Sequence, residues 1–394
     1  MARVRRLLLG PWLLLALAAA LAPVWSQPEP TAGLREINGY RVLTVSGSPA
    51  EMGRVHGELL GDVVRRVVQD VVVEGEGRYD LEGLLAGAMV MEGFLPPAIR
   101  EELHALADAA GVDYRQIVAL QLFGDVNRGQ LCTGFACFGP ATAAGECIAG
   151  RNMDYWDHGA SEYAAILVHY RPSDGWQFLT CSWAGIINGW TTINERGIVC
   201  SNNSAYGGAD SLEGLSTCFM VRKVAQFAAT VEEGIEIVRT TPRACGTNLL
   251  IAGGDPPDAA VVEYDHDQMV VRRARDGYVV ADNTFLALGR GDWDADDPPE
   301  PSDWARAGVL QGLIRDNYGR VDRSMNFAAA PGVPIRSMNL HSALLFPADR
   351  IMYVSMGASP AADHPYHGFR LTPDGVLGLD LRNDSPTEPA DPEL

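Results

Sequence analysis

A cysteine and a charged pair stand close together near the middle of the 394-residue chain. Cys132 is followed by Thr133, and Arg151 and Asp154 end a stretch that returns toward it. The sequence from 132 to 155 is typical of a strand, a turn and a second strand. An arginine beside a thiol favours the nucleophilic thiolate, and an aspartate can hold an amine by hydrogen bonding. The spacing therefore indicates a thiol nucleophile with a fixed charged pair on one hairpin.

A structural interpretation of the same residues stays open. A buried cysteine is more often a small hydrophobic residue, and an Arg–Asp pair in a hairpin is often an ordinary ion pair. Residues three apart also face opposite sides of a regular strand. Arg151 and Asp154 can therefore reach one site only if a bulge or the strand end intervenes.

No local pattern supplies a histidine base for Cys132. Four scattered histidines could still come near it in the fold: His158, His169, His266 and His341. The other route to an active thiol is to make Cys132 the first residue of a processed chain. Its own α-amine, with an ordinary pKa of about 7.7–8.0, would then be the general base.

Composition excludes several classes of partner. The net charge of -19 argues against nucleic acid and against an anionic membrane surface. The sequence contains no dinucleotide fingerprint, no HExxH and no CxxC pair, so neither a cofactor nor a metal is expected. The length allows one large domain or two medium ones, each with a sizeable core.

The N-terminus has the pattern of a secretory signal peptide. Arg3, Arg5 and Arg6 precede an apolar run from Leu7 to Leu21, and we place the cut after Ser26. The alternative is an uncleaved anchor, although the run is short for a bilayer span. The mature protein is predicted to be secreted or periplasmic, with no stable membrane span after signal cleavage.

The chain contains seven cysteines. Exported proteins usually pair their cysteines, and an odd number leaves one thiol over. If Cys132 is that thiol, six remain for up to three disulfides, and Cys137 and Cys147 could pair across the hairpin. The alternative is that several are simply buried and reduced.

Helices are predicted for the first part of the chain. Residues 48–51 form a capping box with proline at the first helical position, and apolar residues recur at helical spacing over 52–71. His56 lies on the apolar side and is predicted to be a packed core histidine. Further helices are predicted at 97–110 and at about 113–126.

Strands dominate from Cys132 onward. They are predicted to about residue 204, followed by two helices within 215–239, more strands to 281, an acidic loop at 292–303, a helix at 304–316 and a closing hairpin at 342–356. The Pro- and Asp-rich tail from about residue 383 is predicted to be disordered. Separate runs of helices and strands indicate an α+β architecture of packed layers.

Six short motifs occur in a fixed order along the chain. They are Gly47–Gly57 (GSPAEMGRVHG), Cys132–Ala136 (CTGFA), Gly150–Asp154 (GRNMD), Trp183–Gly185 (WAG), Asn194–Ile198 (NERGI) and Gly246–Leu250 (GTNLL). Together they resemble the penicillin acyltransferase family (acyl-coenzyme A:6-aminopenicillanic acid acyltransferase-like) of self-processing N-terminal-nucleophile hydrolases, related to bile-salt hydrolases and acid ceramidase. The resemblance covers most of the mature chain.

The resemblance implies a four-layer αββα sandwich and a precursor that cuts itself before Cys132. The chain would then comprise a signal peptide (1–26), a mainly helical pro-segment or alpha chain (27–131) and a catalytic beta chain (132–394). The two chains of one precursor would be each other's partners, and the α-amine of Cys132 would act as base.

The resemblance also assigns roles to other residues. Arg151 and Asp154 would orient the substrate and the amine. The amides on the oxyanion side would be Asn203, or its neighbour Asn202, and Asn283, and Arg306 would be a distal active-site arginine. Asn248 lies in a family motif without a clear role.

Two positions depart from the family pattern. Leu131 stands before the cysteine where the family often has glycine, which tolerates the strained backbone that self-cleavage uses. Thr284 follows Asn283 where the family usually has histidine.

The predicted function is that of a secreted, autoproteolytic cysteine amidohydrolase or acyltransferase. It would cleave linear C–N amide bonds of a small molecule, or transfer the acyl group, through an acyl-enzyme. One alternative is a ceramidase-like lipid amidase. Another is a non-catalytic secreted binding protein on the same scaffold, in which the precursor stays intact and Cys132 is unreactive.

Overall fold

The computed structural model describes residues 32–75, 80–156, 158–289, 300–302 and 305–379. The predicted signal peptide, most of the predicted acidic loop and the predicted disordered tail lie outside these ranges.

Most helices lie in the first third of the chain and between the two groups of strands. They are α1 (Pro49–Val67), α2 (Leu81–Glu92), α3 (Pro97–Ala110), α4 (Tyr114–Asn127), α5 (Ser161–Ala164), α6 (Thr217–Phe227), α7 (Val231–Thr240) and α8 (Arg306–Asp316). A π-helical stretch, Val68–Glu74, extends α1.

The strands form two sheets. In chain order they are β1 (Gly33–Ile37), β2 (Tyr40–Gly47), β3 (Leu131–Cys137), β4 (Ile148–Asp154), β5 (Ala165–Pro172), β6 (Phe178–Trp183), β7 (Thr191–Asn194), β8 (Ile198–Ser204), β9 (Thr247–Gly253), β10 (Asp258–Tyr264), β11 (Met269–Arg273), β12 (Tyr278–Ala281), β13 (Asn339–Phe346), β14 (Ile351–Met356), β15 (His367–Thr372) and β16 (Gly375–Leu379). The nine-stranded sheet has the order β1-β2-β5-β6-β7-β8-β9-β10-β11, and the seven-stranded sheet has the order β12-β3-β4-β13-β14-β15-β16.

The two sheets pack face to face, with helices outside both. β3 contacts β8 and β9, and β12 contacts β10. Helix α1 packs on β2, and α6 and α7 pack on β7 to β10. Helix α8 covers β12 and β3 from the other side. The arrangement is a four-layer αββα sandwich, which confirms the predicted α+β class.

The first helix joins the N-terminal segment to the rest of the fold. The predicted capping box is present, since Ser48 and Glu51 bond each other's backbone N–H. Gly53 and Gly57 face α3 so closely that a Cβ on Gly53 would lie 2.1 Å from the Glu102 carbonyl oxygen. These glycines let the two helix backbones approach each other, which explains their place in the motif.

His56 is a core histidine, as predicted. It is buried, and its Nε2 accepts the backbone N–H of Gly185 at 2.9 Å. Burial lowers the pKa of His56 to about 4, with a smaller contribution from Arg222. The ring is therefore neutral, and it links the Gly47–Gly57 motif to the Trp183–Gly185 motif.

The structure adds five of the elements named above that the sequence did not predict: β1, α2, α5, β15 and β16. Helix α2 buries five of its residues, Leu84, Leu85, Gly87, Ala88 and Met91. Its sequence LEGLLAGAMVME is apolar on most sides and lacks the one-sided periodicity that identified the other helices.

The expectation of disulfides is wrong for this structure, in which all seven cysteines are described, free and buried. Cys137 lies opposite Ile148 in the β3–β4 ladder, so Cys147 is one residue out of register with it. A shift of one residue turns a side chain to the other face of a sheet. Cys181 and Cys200 lie on β6 and β8, which β7 separates. The open alternative of buried thiols is the correct one.

Neither a membrane-spanning helix nor a metal cluster occurs among the described residues. None of the helices there is long and apolar enough to cross a membrane. No group of His, Cys, Asp and Glu side chains in the described ranges is placed to hold a metal ion.

Candidate active site

The predicted hairpin is present as β3 and β4. Cys132 lies opposite Met153, and Arg151 lies opposite Gly134. Paired residues of an antiparallel ladder share a face, and so do residues two apart along one strand. Cys132 and Arg151 therefore lie on the same face, and both point toward the nine-stranded sheet. Asp154, the last residue of β4, lies on the opposite face.

The first group of contacts surrounds the sulfur of Cys132, and we call it the thiol side. Arg151 donates from Nη2 to Cys132 Sγ at 3.2 Å and to the carbonyl oxygen of Asn202 at 3.0 Å. Its Nη1 donates to Thr191 Oγ1 at 3.0 Å and to His341 Nε2 at 2.8 Å. Strands β7, β8 and β13 thus fix the guanidinium against the thiol.

His341 is a neutral acceptor on this side. An arginine can only donate, so His341 Nε2 accepts and its proton is on Nδ1. Burial, and next Arg151, place the pKa of His341 well below its usual value. The thiol of Cys132 is bonded by Arg151 and by the backbone of Asp154, and no described histidine joins them. The Cys–His alternative therefore has no support in the described residues.

Burial decides the protonation of the thiol. Cys132 is completely buried, and this raises the pKa of its thiol, while Arg151 acts in the opposite direction. The predicted effect of the arginine is present, since Arg151 lowers the pKa of the thiol, but burial outweighs it. A base, or a loss of burial, is needed before the sulfur can attack.

The second group of contacts surrounds the backbone nitrogen of Cys132, and we call it the nitrogen side. Asn283 Oδ1 accepts the N–H of Cys132 at 2.9 Å. Arg306, at the start of α8, donates to the same Oδ1 at 2.5 Å and to Asp154 Oδ2 at 2.7 Å. Asn339 Nδ2 donates to Asp154 Oδ1 at 2.9 Å. A continuous chain of contacts therefore runs from the Cys132 nitrogen to Asp154.

The structure answers the geometric question about the charged pair. Arg151 and Asp154 face opposite sides of β4. Arg151 contacts the sulfur of Cys132, and Asp154 is linked to its nitrogen through Arg306 and Asn283. Asp154 can be linked in this way because it stands at the strand end, where a register shift between Asn339 and His341 breaks the β4–β13 ladder. Burial raises the pKa of Asp154, and Asn339 and then Arg306 act against that rise.

Thr133 does not join the site. It pairs with Asn152 on the face opposite to Cys132, and its Oγ1 accepts from Asn152 Nδ2 at 3.2 Å. The hydroxyl that the sequence placed beside the thiol is therefore used to support the hairpin.

Three other asparagines lie near these two groups of contacts. Asn202 accepts from Arg151 and belongs to the thiol side. The Nδ2 of Asn203 donates to the Asn248 carbonyl oxygen at 3.1 Å. The Asn203 amide is therefore directed at β9 and not at Cys132. Asn248 Nδ2 donates to the carbonyl oxygens of Asp282 and Thr284 at 2.9 and 2.8 Å. Asn248 therefore fixes the backbone on both sides of Asn283, which is a role that the motif alone did not reveal.

Carboxylates that the sequence analysis did not select hold the same loop. Asp282 accepts the N–H of Thr284 at 2.9 Å and that of Ala307, at the start of α8, at 3.1 Å. The buried Glu263 accepts the N–H groups of Leu286, Ala287 and Leu288. The one indication of this support in the sequence is that Asp282 directly precedes Asn283, the proposed oxyanion amide.

A small apolar pocket adjoins the thiol side. It has a volume of about 30 Å³, and Met153, the ladder partner of Cys132, contributes to it. Its aromatic lining comes from Phe123, Tyr155, Trp156, Trp183 and Trp190. This volume holds only one or a few water molecules, so the pocket is small in this structure.

A family comparison now identifies the chain. Residues 142–358, more than half of the chain, match the family described as acyl-coenzyme A:6-aminopenicillanic acid acyl-transferase. The chain belongs to this family. The match contains Arg151, Asp154, Asn283 and Arg306, whereas it begins after Cys132. The assignment of the nucleophile therefore rests on the geometry of the hairpin.

Two relatives of this acyl-transferase family member carry no description of substrate. It is 24% identical over 349 residues to an uncharacterized protein of Archaeoglobus fulgidus, covering 72% of this chain and 56% of that protein. It is 23% identical over 257 residues to protein dcd1B of Dictyostelium discoideum, covering 58% and 51%. The chain thus spans about half the length of these two relatives.

Among solved structures, this family member is similar to the C2A mutant of a conjugated bile acid hydrolase from Clostridium perfringens. The identity is 14%, the coverage is 63% of this chain and 96% of that chain, and the TM-score is 0.43.

Proposed function

We propose that the protein is a self-processing cysteine amidohydrolase or acyltransferase in which Cys132 becomes the N-terminal nucleophile. The observation that carries this proposal is the division of contacts around Cys132. A cation contacts its sulfur, and an amide linked to an Arg–Asp pair contacts its nitrogen. Any buried backbone N–H needs an acceptor, but an acceptor that is linked to Arg306 and Asp154 is also placed to hold and orient an amine at this position.

Self-cleavage would proceed as an acyl shift from nitrogen to sulfur. The Cys132 sulfur attacks the carbonyl carbon of Leu131, the C–N bond breaks, and the nitrogen takes up the thiol proton to become an amine. Water then hydrolyses the Leu131 thioester, which yields a carboxylate and restores the thiol. Removal of the segment that ends at Leu131 would also expose Cys132, which is completely buried in the uncut chain.

Turnover would use the same groups. The α-amine of Cys132 takes the thiol proton, and the thiolate attacks the substrate carbonyl carbon. Arg151 stabilises the thiolate, and Asp154 and Asn283 hold the amine through the nitrogen side. After the amine product leaves, water or another amine takes the acyl group from the sulfur.

For the oxyanion, Asn283 is a better candidate than Asn203. The Asn283 Nδ2 donates to the Ser204 carbonyl oxygen on β8 and, at 3.4 Å, to the Gln130 carbonyl oxygen, and the second of these contacts is lost if the preceding segment leaves. The amide of Asn203 is held by the neighbouring strand in either state. A donor that is freed by cleavage can serve a new oxygen atom.

The lining of the small pocket supports an apolar acyl group. Its lining is mostly apolar and aromatic, with His158 as the one titratable side chain besides Tyr155 among the described residues that line it. The same lining is the observation that favours the second candidate, a lipid amidase. A long acyl chain would require the pocket to open well beyond 30 Å³.

We also propose that the protein is exported, on the basis of the basic residues and apolar run before Ser26. Sequencing of the mature N-terminus should then begin at Gln27. A mature protein that retains Met1 would contradict the proposed cut.

The first test is direct analysis of processing. N-terminal sequencing and intact mass should show a chain that begins Cys-Thr-Gly-Phe, cut at the Leu131–Cys132 bond. Cys132→Ala should stay uncut and inactive on fluorogenic N-acyl amides, and Cys132→Ser should retain some processing. Cys200→Ala, a buried thiol on β8, is the matched control and should be processed normally.

Two outcomes would contradict the proposal. A wild-type preparation that is active as a single chain would remove the N-terminal nucleophile. An uncut chain that binds amides without turning them over would favour the non-catalytic binding protein. Comparing short and long acyl groups in the same assay separates a general amidase from a lipid amidase.

A further inference from the structure

The backbone just before the proposed cleavage bond has an unusual conformation. Arg128 has φ 56° and ψ -160°, and Gly129 has φ 94°. Such angles are rare for a residue with a Cβ and persist only when surrounding contacts hold them. Leu131, which replaces the family's usual glycine, is a regular residue of β3 opposite Asp154. The unusual backbone angles therefore lie two and three residues before Leu131, at Gly129 and Arg128.

Tyr206 holds this segment through its phenol oxygen. The hydroxyl accepts the backbone N–H of Gly129 at 3.1 Å and donates to the carbonyl oxygen of Gln130 at 2.7 Å. One oxygen atom thus fixes two consecutive residues. Both bonds go to the backbone, so they constrain its path whatever the side chains are.

Arg128 is held by a second set of contacts. Its guanidinium donates to the carbonyl oxygens of Ala205 and Gly246 at 2.5 and 3.1 Å and lies 3.3 Å from Asp210. The guanidinium also lies over the ring of Tyr206, 4.9 Å from its centroid. The left-handed residue is therefore tied to the loop that follows β8.

Gln130 completes the attachment. Its side chain is buried and accepts from Ser204 Oγ at 3.0 Å, and its carbonyl oxygen also faces the Asn283 amide at 3.4 Å. Three consecutive residues, 128 to 130, are thus fixed immediately upstream of Leu131. We call these residues the upstream segment.

We propose that Tyr206 is a positioning residue for self-cleavage, which holds the upstream segment so that the Leu131 carbonyl stays within reach of the Cys132 sulfur. This inference rests on the proposed function. Leucine cannot supply the conformational freedom that glycine gives before the nucleophile. Gly129 supplies that conformational freedom instead, and the Tyr206 hydroxyl holds the backbone of Gly129 in the conformation observed.

The test is the rate of processing in Tyr206→Phe. This change removes one oxygen atom and keeps the ring over which Arg128 lies. Freshly made precursor is followed by intact mass, and we expect cleavage at least about tenfold slower than in the wild type, because an intramolecular reaction is sensitive to small misplacement. The thermal midpoint, measured in a Cys132→Ala background that cannot be cut, should fall only modestly, because the hydroxyl is partly exposed and water can replace its two hydrogen bonds.

Tyr318→Phe is the matched control. Tyr318 is about as exposed as Tyr206, at 42% against 39%, and its hydroxyl also donates to a backbone carbonyl, that of Asp276 at 3.0 Å. It should be processed at the wild-type rate. Gly129→Ala gives a second test, since the space around its Cβ is open to 3.8 Å and only the backbone conformation is penalised. It should also slow processing.

The outcomes separate this inference from the proposed function. Wild-type processing in Tyr206→Phe would overturn the positioning role while leaving the N-terminal nucleophile intact. Equal slowing in Tyr206→Phe and Tyr318→Phe would overturn it too, because the effect would then be a general loss of packing. A wild-type chain that stays uncut and active would remove the proposed function itself.

Discussion

The two sides of Cys132 hold their charged groups in different ways. On the thiol side, Arg151 is buried, and its contacts among the described residues are a hydroxyl, a neutral imidazole, the Asn202 oxygens and the thiol. On the nitrogen side, Asp154 is equally buried but meets the cation of Arg306 directly. Within the described ranges, the Arg151 charge contacts neutral groups and the Asp154 charge is balanced by an ion pair.

This difference indicates different functions. A buried cation that no carboxylate of the described residues contacts keeps its field for a negative charge that forms beside it, such as a thiolate. A carboxylate bonded to an arginine and an amide is fixed in position and has little net field. Arg151 is therefore suited to stabilise charge, and Asp154 is suited to orient a neighbour.

The strongest way to test the comparison is to remove the charge from the thiol side. In Arg151→Met, we expect self-cleavage and turnover to fall by roughly a hundred- to a thousandfold, the usual effect of losing a preorganised electrostatic group. Stability should fall modestly, because no buried carboxylate is left without a partner. The measurements are processing rate, amide turnover and thermal midpoint.

Arg222→Met is the control, since Arg222 is also a buried arginine but forms a two-point ion pair with the buried Glu102. Breaking a buried pair typically costs about 3–5 kcal/mol. This variant should lose stability and keep its activity per folded molecule. If Arg151→Met behaves in the same way, Arg151 is structural and the contrast between the two sides disappears.

The nitrogen side is tested by Asp154→Asn, with a smaller expected effect. Asparagine has nearly the same size, so packing should survive, but the orientation set by Arg306 is lost. Misplacement of a reacting group by about 1 Å can cost roughly a hundredfold in rate. Amide turnover is measured in a sample whose processing has been checked, together with the thermal midpoint.

The pair with Arg306 provides the control for Asp154. Asp154 and Arg306 are 2.7 Å apart, so the double variant Asp154→Asn/Arg306→Gln should lose less activity than the sum of the two single losses. Near wild-type turnover in Asp154→Asn would make the carboxylate structural. Full additivity would mean that the two residues act separately.

Local patterns were enough to predict the hairpin and the first helix. The strand, turn and second strand predicted for residues 132 to 155 are present, and the predicted capping box marks the start of α1. These features depend on neighbours in sequence, so their physical causes are visible in a short window.

Other parts of the site depend on long-range packing. Asn339 reaches Asp154 from 185 residues away, through a strand whose ladder shifts beside the site. Nothing near Asn339 in sequence marks it. The raised pKa of Cys132 follows from burial by both sheets, which a sequence window does not show. The missing disulfides have the same origin, because register decides which thiols meet.

Asn248 gives the smallest expected effect and tests how far support for the nitrogen side extends. It touches neither Cys132 nor the ion pair, and acts only by holding the backbone around Asn283. Asn248→Ala should lower turnover by roughly tenfold, less than the loss from a displaced reacting group. Two lost hydrogen bonds should also reduce stability by about 1–3 kcal/mol.

Asn194→Ala separates these two effects. Asn194 is also buried and its Nδ2 donates to two backbone carbonyl oxygens, those of Ala225 and Ala228 at 2.9 and 2.8 Å, far along the chain from Asn283. This variant should lose at least as much stability, because its Oδ1 also accepts two N–H groups. Its turnover per folded molecule should stay normal. If both variants lose turnover equally, the effect follows stability alone, and the loop that carries Asn283 needs no dedicated support.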